Sequence, residues 1–447
     1  MEEKAKKRNP LTQTKLMGMP LWMFLIVLAV TWIISAAGLL PYNLAGMLAF
    51  IMVIGTFLGW LGDLIPIWNK WFGGGIMLAW LAMCAIYTFG LLPESTINCI
   101  AEIGIDSGFR DFYIVVLVVG SLCSIDRKML LKAVGGFIPT CIGGLAVALL
   151  FAMGAGLLVG VNPIDAMLNY ALPVMGGGTG AGAVPMSEMW AEATGRDASS
   201  WFAPAFAALC VADSVAVIMA ACLDRLSAKF PMLSCGSKSS NMMRPGKKDR
   251  MIADAPKPQK EKATVAEYAY GIGFATFMYL IAYAYSKISF INNANLGFSI
   301  HAFAFLVIIT AVLITLNVIP ERVKVGAQAL QKFFAGNIAC PLMVIIGCTS
   351  SLYDFGVMLL PKNLFIIVFL MIGAVVGSGA VGYLFGFYPI DAAMTAGLCQ
   401  ANAGNSGDLM TLGAGNRLDL LAFSSVATRI GGAITLVVAS ILFGLFA

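Results

Sequence analysis

Residues 394–432 read MTAGLCQANAGNSGDLMTLGAGNRLDLLAFSSVATRIGG, and an apolar run, 433–447, follows them. Arg429 sits well inside that hydrophobic stretch, where a guanidinium near a bilayer centre costs about 2.5 to 3.5 kcal/mol on insertion scales. Just upstream, 401–407 is ANAGNSG, a Gly-, Asn- and Ser-rich piece bordered by apolar residues on both sides. Such a piece reads as non-helical backbone at membrane depth, which survives only when buried in protein or lining a wet cavity. A buried cation beside an open polar loop is what a small organic anion requires. Transport of small carboxylates is therefore the expected function.

Composition agrees. The 447 residues are 60% hydrophobic and 11% charged, which places the chain among polytopic helical membrane proteins rather than globular ones. Of the ten cysteines, Cys84, Cys123, Cys141, Cys210, Cys222, Cys340, Cys348 and Cys399 lie in apolar runs without C-x-x-C spacing, so they read as packing residues. The single histidine, His301, and the absence of a Cys/His cluster in the sequence predict no zinc or iron cofactor. A net charge of +5 comes from a few loops and marks orientation in the membrane, not a nucleic-acid partner.

Taken in order, residues 1–20 begin with a short basic tail, expected in the cytoplasm, and a first span lies within 21–42. Apolar segments at 21–40, 43–61, 73–92, 113–123, 131–159, 201–223, 265–285, 296–318, 333–350, 364–388 and 420–446 predict about eleven transmembrane helices. Two segments break that pattern. Residues 162–190 contain LPVMGGGTGAGAVP, and 391–412 contain AGNSG. Both are apolar enough to enter the membrane and too glycine-rich for an ordinary span, so each predicts a re-entrant hairpin. The hydrophilic loop 224–262 is rich in Lys and Arg, as are Arg127, Lys128, Lys132, Arg322 and Lys324 after other spans. All fall inside if the N-terminus is cytoplasmic and the C-terminus lies outside.

Internal echoes divide the chain. Pro163-Ile164-Asp165-Ala166 recurs as Pro389-Ile390-Asp391-Ala392, Thr194-Gly195-Arg196 is echoed by Gly415-Asn416-Arg417, and Val211-Ala212-Asp213 by Val426-Ala427-Thr428. Residues 43–223 and 263–447 thus read as two repeats of five spans plus one hairpin, and an odd number of crossings inverts the second copy. Inverted repeats with broken helices meeting at the midplane are a common plan for secondary transporters.

The stretches GGGTG (176–180) and AGNSG (403–407), with the closing TRIGG (428–432), resemble the bacterial 2-hydroxycarboxylate transporter family, and the similarity runs over nearly the whole chain. The resemblance implies an elevator-type homodimer in the bacterial cytoplasmic (inner) membrane, each subunit carrying citrate, malate or lactate. It also implies that Arg429 pairs with a substrate carboxylate and that Thr179, Gly180, Gly404, Asn405 and Ser406 line the substrate site. A coupling sodium would be held near Val174, Gly177, Cys399, Asn402 and Ser406. Two departures from citrate-specific members stand out. Thr179 replaces a side-chain amide, and Ala403 replaces a second arginine. The lost cation favours a C4-dicarboxylate such as malate, with citrate possible. The lost amide leaves proton coupling or plain exchange open.

Each assignment has a plainer counterpart. Arg429 could pair with Asp408 or Asp213, and Arg417, near a helix end, reads as snorkelling to the interface. The glycines could serve close helix packing; as a phosphate loop GGGTG lacks the lysine and the preceding strand. Asp165 and Asp391 read as helix caps before proton relays. Asn402 and Ser406 suit a hard cation or could bond the open hairpin backbone, and His301 reads as interfacial. Trp22, Trp68, Trp71 and Trp80 read as belt anchors. An enzyme would need a nucleophile with its base, which the chain hardly offers. A sodium/proton antiporter would place acids, not a cation, at the crossing.

Overall fold

The computed structural model describes residues 14–66, 68, 74–124, 136–236, 242–244, 263–288, 300–402 and 404–446. Helices dominate. The strands β1 (Lys15–Leu16) and β2 (Met19–Pro20) form one small antiparallel hairpin ahead of them. Among the described residues, seven helices are long and apolar enough to cross a membrane, and three shorter apolar ones accompany them. The chain divides into two compact units: residues 1–110 with 336–352, and residues 111–335 with 353–447.

The first unit contains α1 (Leu21–Ala36), α2 (Leu44–Leu64), α3 (Gly74–Thr88) and α4 (Glu94–Asp106). Small residues let its helices touch backbone to backbone. A methyl group on Gly55 would lie 2.6 Å from Pro341 Cα, and one on Gly62 would lie 2.8 Å from Gly75 Cα. Asn43 caps α2, its Oδ1 accepting from the Gly46 N–H at 3.0 Å.

The second unit begins within α5 (Phe109–Cys123) and α6 (Phe137–Val159). A hairpin follows, with arms α7 (163–174) and α8 (179–194), and then α9 (Ala198–Lys229). Next come α10 (Val265–Ile288), α11 (Ala302–Leu316), α12 (Glu321–Gly347), whose later part belongs to the first unit, and α13 (Leu352–Met358). Last are α14 (Pro361–Leu384), a second hairpin with arms α15 (389–398) and α16 (Asn405–Ala414), and α17 (Leu418–Phe446). Alanines of α6 and α9, with Leu145, Ile367 and Leu370, make its core.

Helices α6 and α14 pack along their length, and the register shows that they run antiparallel. A methyl on Gly143 would meet Val381 Cγ2 at 2.4 Å, one on Gly377 would meet Val147 Cβ at 2.7 Å, and one on Gly373 would meet Phe151 Cβ at 2.7 Å. Each step up one helix is a step down the other.

The described parts of the eleven segments expected to span are largely helical, with revised ends. Seven of the described helices are long and apolar enough to cross a membrane, however, and the one covering 113–123, Phe109–Cys123, is not among them. Helix α9 runs on to Lys229, so the expected loop 224–262 starts later; residues 237–241 and 245–262 of that loop lie outside the described residues. The span expected at 333–350 is the later part of α12, because Glu321–Phe333 forms an amphipathic helix leading into it. Helix α4 lies outside the expected spans because it is short and amphipathic and lacks the unbroken apolar run that marks one. Trp80 is a core residue with no exposed surface, so the belt reading fails for it, whereas Trp22 is half exposed. Trp71 lies outside the described residues.

The Gly377 Cβ position is 2.5 Å from the Gly143 carbonyl oxygen, an atom that cannot swing away, while Gly154 has nothing within 4 Å. Gly377→Ala is expected to cost about 1 to 3 kcal/mol of stability and Gly154→Ala to lie within about 0.5 kcal/mol of wild type, measured by thermal unfolding in detergent.

Candidate functional site

Both hairpins are built on one local plan. Asn162 caps α7, its Oδ1 accepting from the Ile164 N–H at 3.0 Å, and Pro163 occupies the first turn. The PIDA turn then widens into a π-turn, Met167–Ala171, and α7 stops at Val174. In the second hairpin the same PIDA turn passes into a π-turn at Ala393–Leu398. Such turns loosen the helix ladder and recur at functional sites.

The tips need glycine. Gly177 (φ +72°) and Gly178 (φ +119°) reverse the chain in the first hairpin, and Gly404 (φ +85°) does so in the second. Helix α8 then begins at Thr179 behind Gly178, and α16 at Asn405 behind Gly404; neither has a side-chain cap. The first N–H groups of two helices are thus left for other partners. Each terminus carries the equivalent of roughly half a positive charge.

The two tips meet each other at a break in α17, the π-turn Ala427–Gly431. A methyl on Gly177 would stand 2.1 Å from the Thr428 carbonyl oxygen, one on Gly432 would stand 2.6 Å from the Gly176 carbonyl oxygen, and one on Gly404 would stand 3.6 Å from that of Gly177. Arg429 lies within this break. Its Nη1 donates to Ser124 Oγ at 2.5 Å, just past the end of α5. Among the described residues it makes no ion pair, so the pairings with Asp408 or Asp213 are not formed.

Asp408 is instead buried in a hydrogen-bonded knot. Its carboxylate accepts from Asn402 Nδ2 at 3.1 Å and faces the Thr428 hydroxyl at 3.0 Å, which also lies 3.1 Å from the Cys399 carbonyl. Asn402 Oδ1 accepts from the Gly404 N–H at 2.8 Å, the backbone-bonding role weighed for it. Asp213 comes against the same tip, since a methyl on Gly407 would sit 2.6 Å from its Oδ1. Thr179 and Val174 are buried beside the first tip, and Gly180 faces α5, 2.5 Å separating its Cβ position from Leu117 Cδ1. The side chains of Asn405 and Ser406, and all of Ala403, lie outside the described residues.

Four readings change. Arg417 does not snorkel: it is 2% exposed and ion-paired with Asp391 and Asp224. Asp391 does not cap α15, whose N-cap is Tyr388 without a side-chain bond; its carboxylate accepts from Ser234, Cys235 and Arg417. Asn162, not Asp165, caps α7. His301 caps α11 through Nδ1, accepting from the Phe303 N–H at 3.0 Å, and pairs with Glu192 at 2.8 Å. Thr428 and Ser124 were missed. The echo of Val211-Ala212-Asp213 in Val426-Ala427-Thr428 pointed at the first; nothing local marks the second.

Broken apolar helices whose uncapped N-termini meet within a bundle of membrane-length helices are the plan of secondary transporters. The model of the 2-hydroxycarboxylate transporter family matches residues 16–441. The citrate/sodium symporter of Salmonella typhimurium is 36% identical over 445 residues, 98% of this chain and 97% of that protein. The citrate/sodium symporter of Klebsiella pneumoniae is 35% identical over 96% of this chain and 95% of its own. The malate transporter MleP of Lactococcus lactis subsp. lactis is 27% identical over 98% and 99%. The chain belongs to the 2-hydroxycarboxylate transporter family, and it is a multi-pass membrane transporter, not an enzyme.

Gly177 and Gly195 both have positive φ, but only Gly177 abuts a backbone oxygen. Gly177→Ala is expected to lower uptake by roughly tenfold or more and Gly195→Ala by no more than about twofold, the contact and not the φ strain being decisive. Transport assays normalised to carrier content check this.

Proposed function

We propose that this chain is a secondary carrier of small hydroxycarboxylates, with malate favoured and citrate admitted, driven by sodium. The observation that carries the reading is the convergence of two uncapped helix N-termini on the break in α17 that carries Arg429. A guanidinium matches a carboxylate two oxygens at a time. Helix N-termini supply N–H donors for the remaining oxygens, as at anion sites generally. Thr179, Gly180, Gly404, Asn405 and Ser406 then line the substrate, and Arg429 exchanges Ser124 for a substrate carboxylate.

The sodium ion is assigned to the carbonyls near Val174 and Gly177 together with Cys399, Asn402 and Ser406. Oxygen ligands of that kind suit a hard cation, and the names of the Salmonella and Klebsiella relatives support sodium as the coupling ion. Exchange without a cation, the other mode open from Thr179, has no geometric feature in its favour.

Eleven crossings with two inverted repeats, residues 43–223 and 263–447, fit this scheme. Support comes from the antiparallel pairing of α6 with α14, the helices that precede the two hairpins, and from a crosswise arrangement. Helix α9 packs on α16 of the second hairpin, while α17 packs on α8 of the first. An elevator needs a body that carries both hairpins, and the second unit contains both. Homodimer assembly, a cytoplasmic N-terminus (1–20), an inside loop beginning after Lys229 and an external C-terminus in the inner membrane complete the proposal.

Uptake of labelled malate, citrate and lactate into proteoliposomes, under sodium and proton gradients imposed separately, tests it. Saturable sodium-driven malate uptake is expected. Arg429→Ala should reduce it by roughly a hundredfold or more, two charge-assisted bonds at about 1.5 to 3 kcal/mol each being lost; Arg429→Lys should impair it heavily. Uptake at the wild-type rate by the alanine variant would remove Arg429 from the site. In the same assay Ala403→Arg is expected to shift preference toward citrate, and unchanged selectivity would show that position 403 does not set substrate range.

A further inference from the structure

The two hairpins start from the same Asp and Arg pair and treat it differently. In the second hairpin Arg417 Nε donates to Asp391 Oδ1 at 3.1 Å, with Arg417 2% and Asp391 0% exposed. Arg417 Nη1 donates to Asp224 Oδ1 at 3.0 Å, and Nη2 donates to Ser227 Oγ at 3.0 Å and Ser234 Oγ at 2.9 Å. Asp391 in turn accepts from Ser234 Oγ at 2.9 Å and from the Cys235 N–H at 2.6 Å. Ser227 belongs to the end of α9, and Ser234 and Cys235 to the segment after it. That segment continues to hold on further along: Tyr388 N–H donates to the Met242 carbonyl and Arg244 N–H to that of Gly386, both at 2.9 Å. The Arg244 guanidinium also stacks 3.7 Å from the centre of the Tyr383 ring.

The matching pair in the first hairpin is open. Asp165 and Arg196 are exposed and, with Asn169, Trp190 and Phe446, line a cavity of about 430 Å³. No described residue hydrogen-bonds either side chain, and Arg196 rests only near the Trp190 ring, at 6.0 Å.

We infer that Arg417 is a positioning residue for transport: with Asp391 it clamps the base of the second hairpin to residues 231–236, so that this hairpin is held at its root while the first is left free to move. The inference rests on carboxylate transport. A buried ion pair of this kind is poor evidence of stability by itself, but removing one partner strands a buried charge and disorganises what the pair held together. The second tip carries Asn402 and Gly404, so slack at its root reaches the substrate site through α15.

Two readouts test this on the full-length carrier in proteoliposomes. The first is the KM and Vmax of malate and citrate uptake. Arg417→Gln is expected to raise KM by roughly tenfold, Ser234→Ala by a few-fold, and Arg196→Gln, the open counterpart, by less than about twofold. The second is the rate of Cys235 alkylation by a maleimide in a Cys222→Ser, Cys340→Ala background, the remaining described cysteines being buried. Arg417→Gln and Ser234→Ala should each speed it several-fold and Arg196→Gln should not. Should Arg417→Gln fail to fold, Ser234→Ala, which keeps the ion pair, decides the matter. The inference is overturned if Ser234→Ala leaves both KM and alkylation at wild-type values, if Vmax alone falls in Arg417→Gln, or if Arg196→Gln raises KM as much as Arg417→Gln. If wild type takes up no carboxylate, the transport reading has failed, and the alkylation rates still judge the clamp.

Discussion

The first hairpin tip passes the last long helix so closely that a single methyl group on Gly177 would fall 2.1 Å from the Thr428 carbonyl oxygen. Much of the second unit follows from that approach. Only residues without Cβ can bring the tip to the helix, hence GGG at 176–178 and GG at 431–432. The carbonyl that the tip meets belongs to the π-turn Ala427–Gly431, where the ladder of α17 is loosened. Arg429 is carried within the break that both tips approach.

Buried charge is the second constraint, and the protein handles its two arginines differently. Arg417 is surrounded by Asp391, Asp224, two hydroxyls and two carbonyls, so its donors are spent within the protein. Arg429 has one described hydrogen-bond partner, a serine hydroxyl, and no ion pair among the described residues. A half-buried guanidinium with one described partner keeps donors free for a carboxylate, the role proposed for Arg429, whereas one that is fully bonded is a structural tie. The same contrast distinguishes the carboxylates. Asp408 is satisfied by an amide and a hydroxyl at the second tip, while Asp165 stands open at the root of the first hairpin.

Much of this was legible in the sequence because it is local. Apolar runs of span length, glycine clusters too flexible for a span, and the repeated PIDA turn are properties of neighbouring residues, and helices lie on those runs and positive-φ glycines in those clusters. What was not legible depends on contacts between distant residues. Arg417 reads as interfacial until Asp224, from the far end of α9, is seen to reach it. Ser124 has no local mark, and the role of Thr428 depends on Asp408 arriving from the second hairpin. Trp80 is indistinguishable in sequence from a belt tryptophan, yet it is fully buried. Helix α4 was hidden because it is short and amphipathic, without an apolar run of span length.

The central claim is that a small carboxylate is held between the two tips beside Arg429. The most direct measurement is substrate protection of Thr179→Cys and Ser406→Cys, one on each tip, from a small thiol reagent in a carrier otherwise depleted of reactive cysteines. The account predicts that malate with sodium slows alkylation at both positions and that Arg429→Ala abolishes the protection at both. Alkylation indifferent to malate at either tip, or protection that survives loss of the arginine, would contradict it.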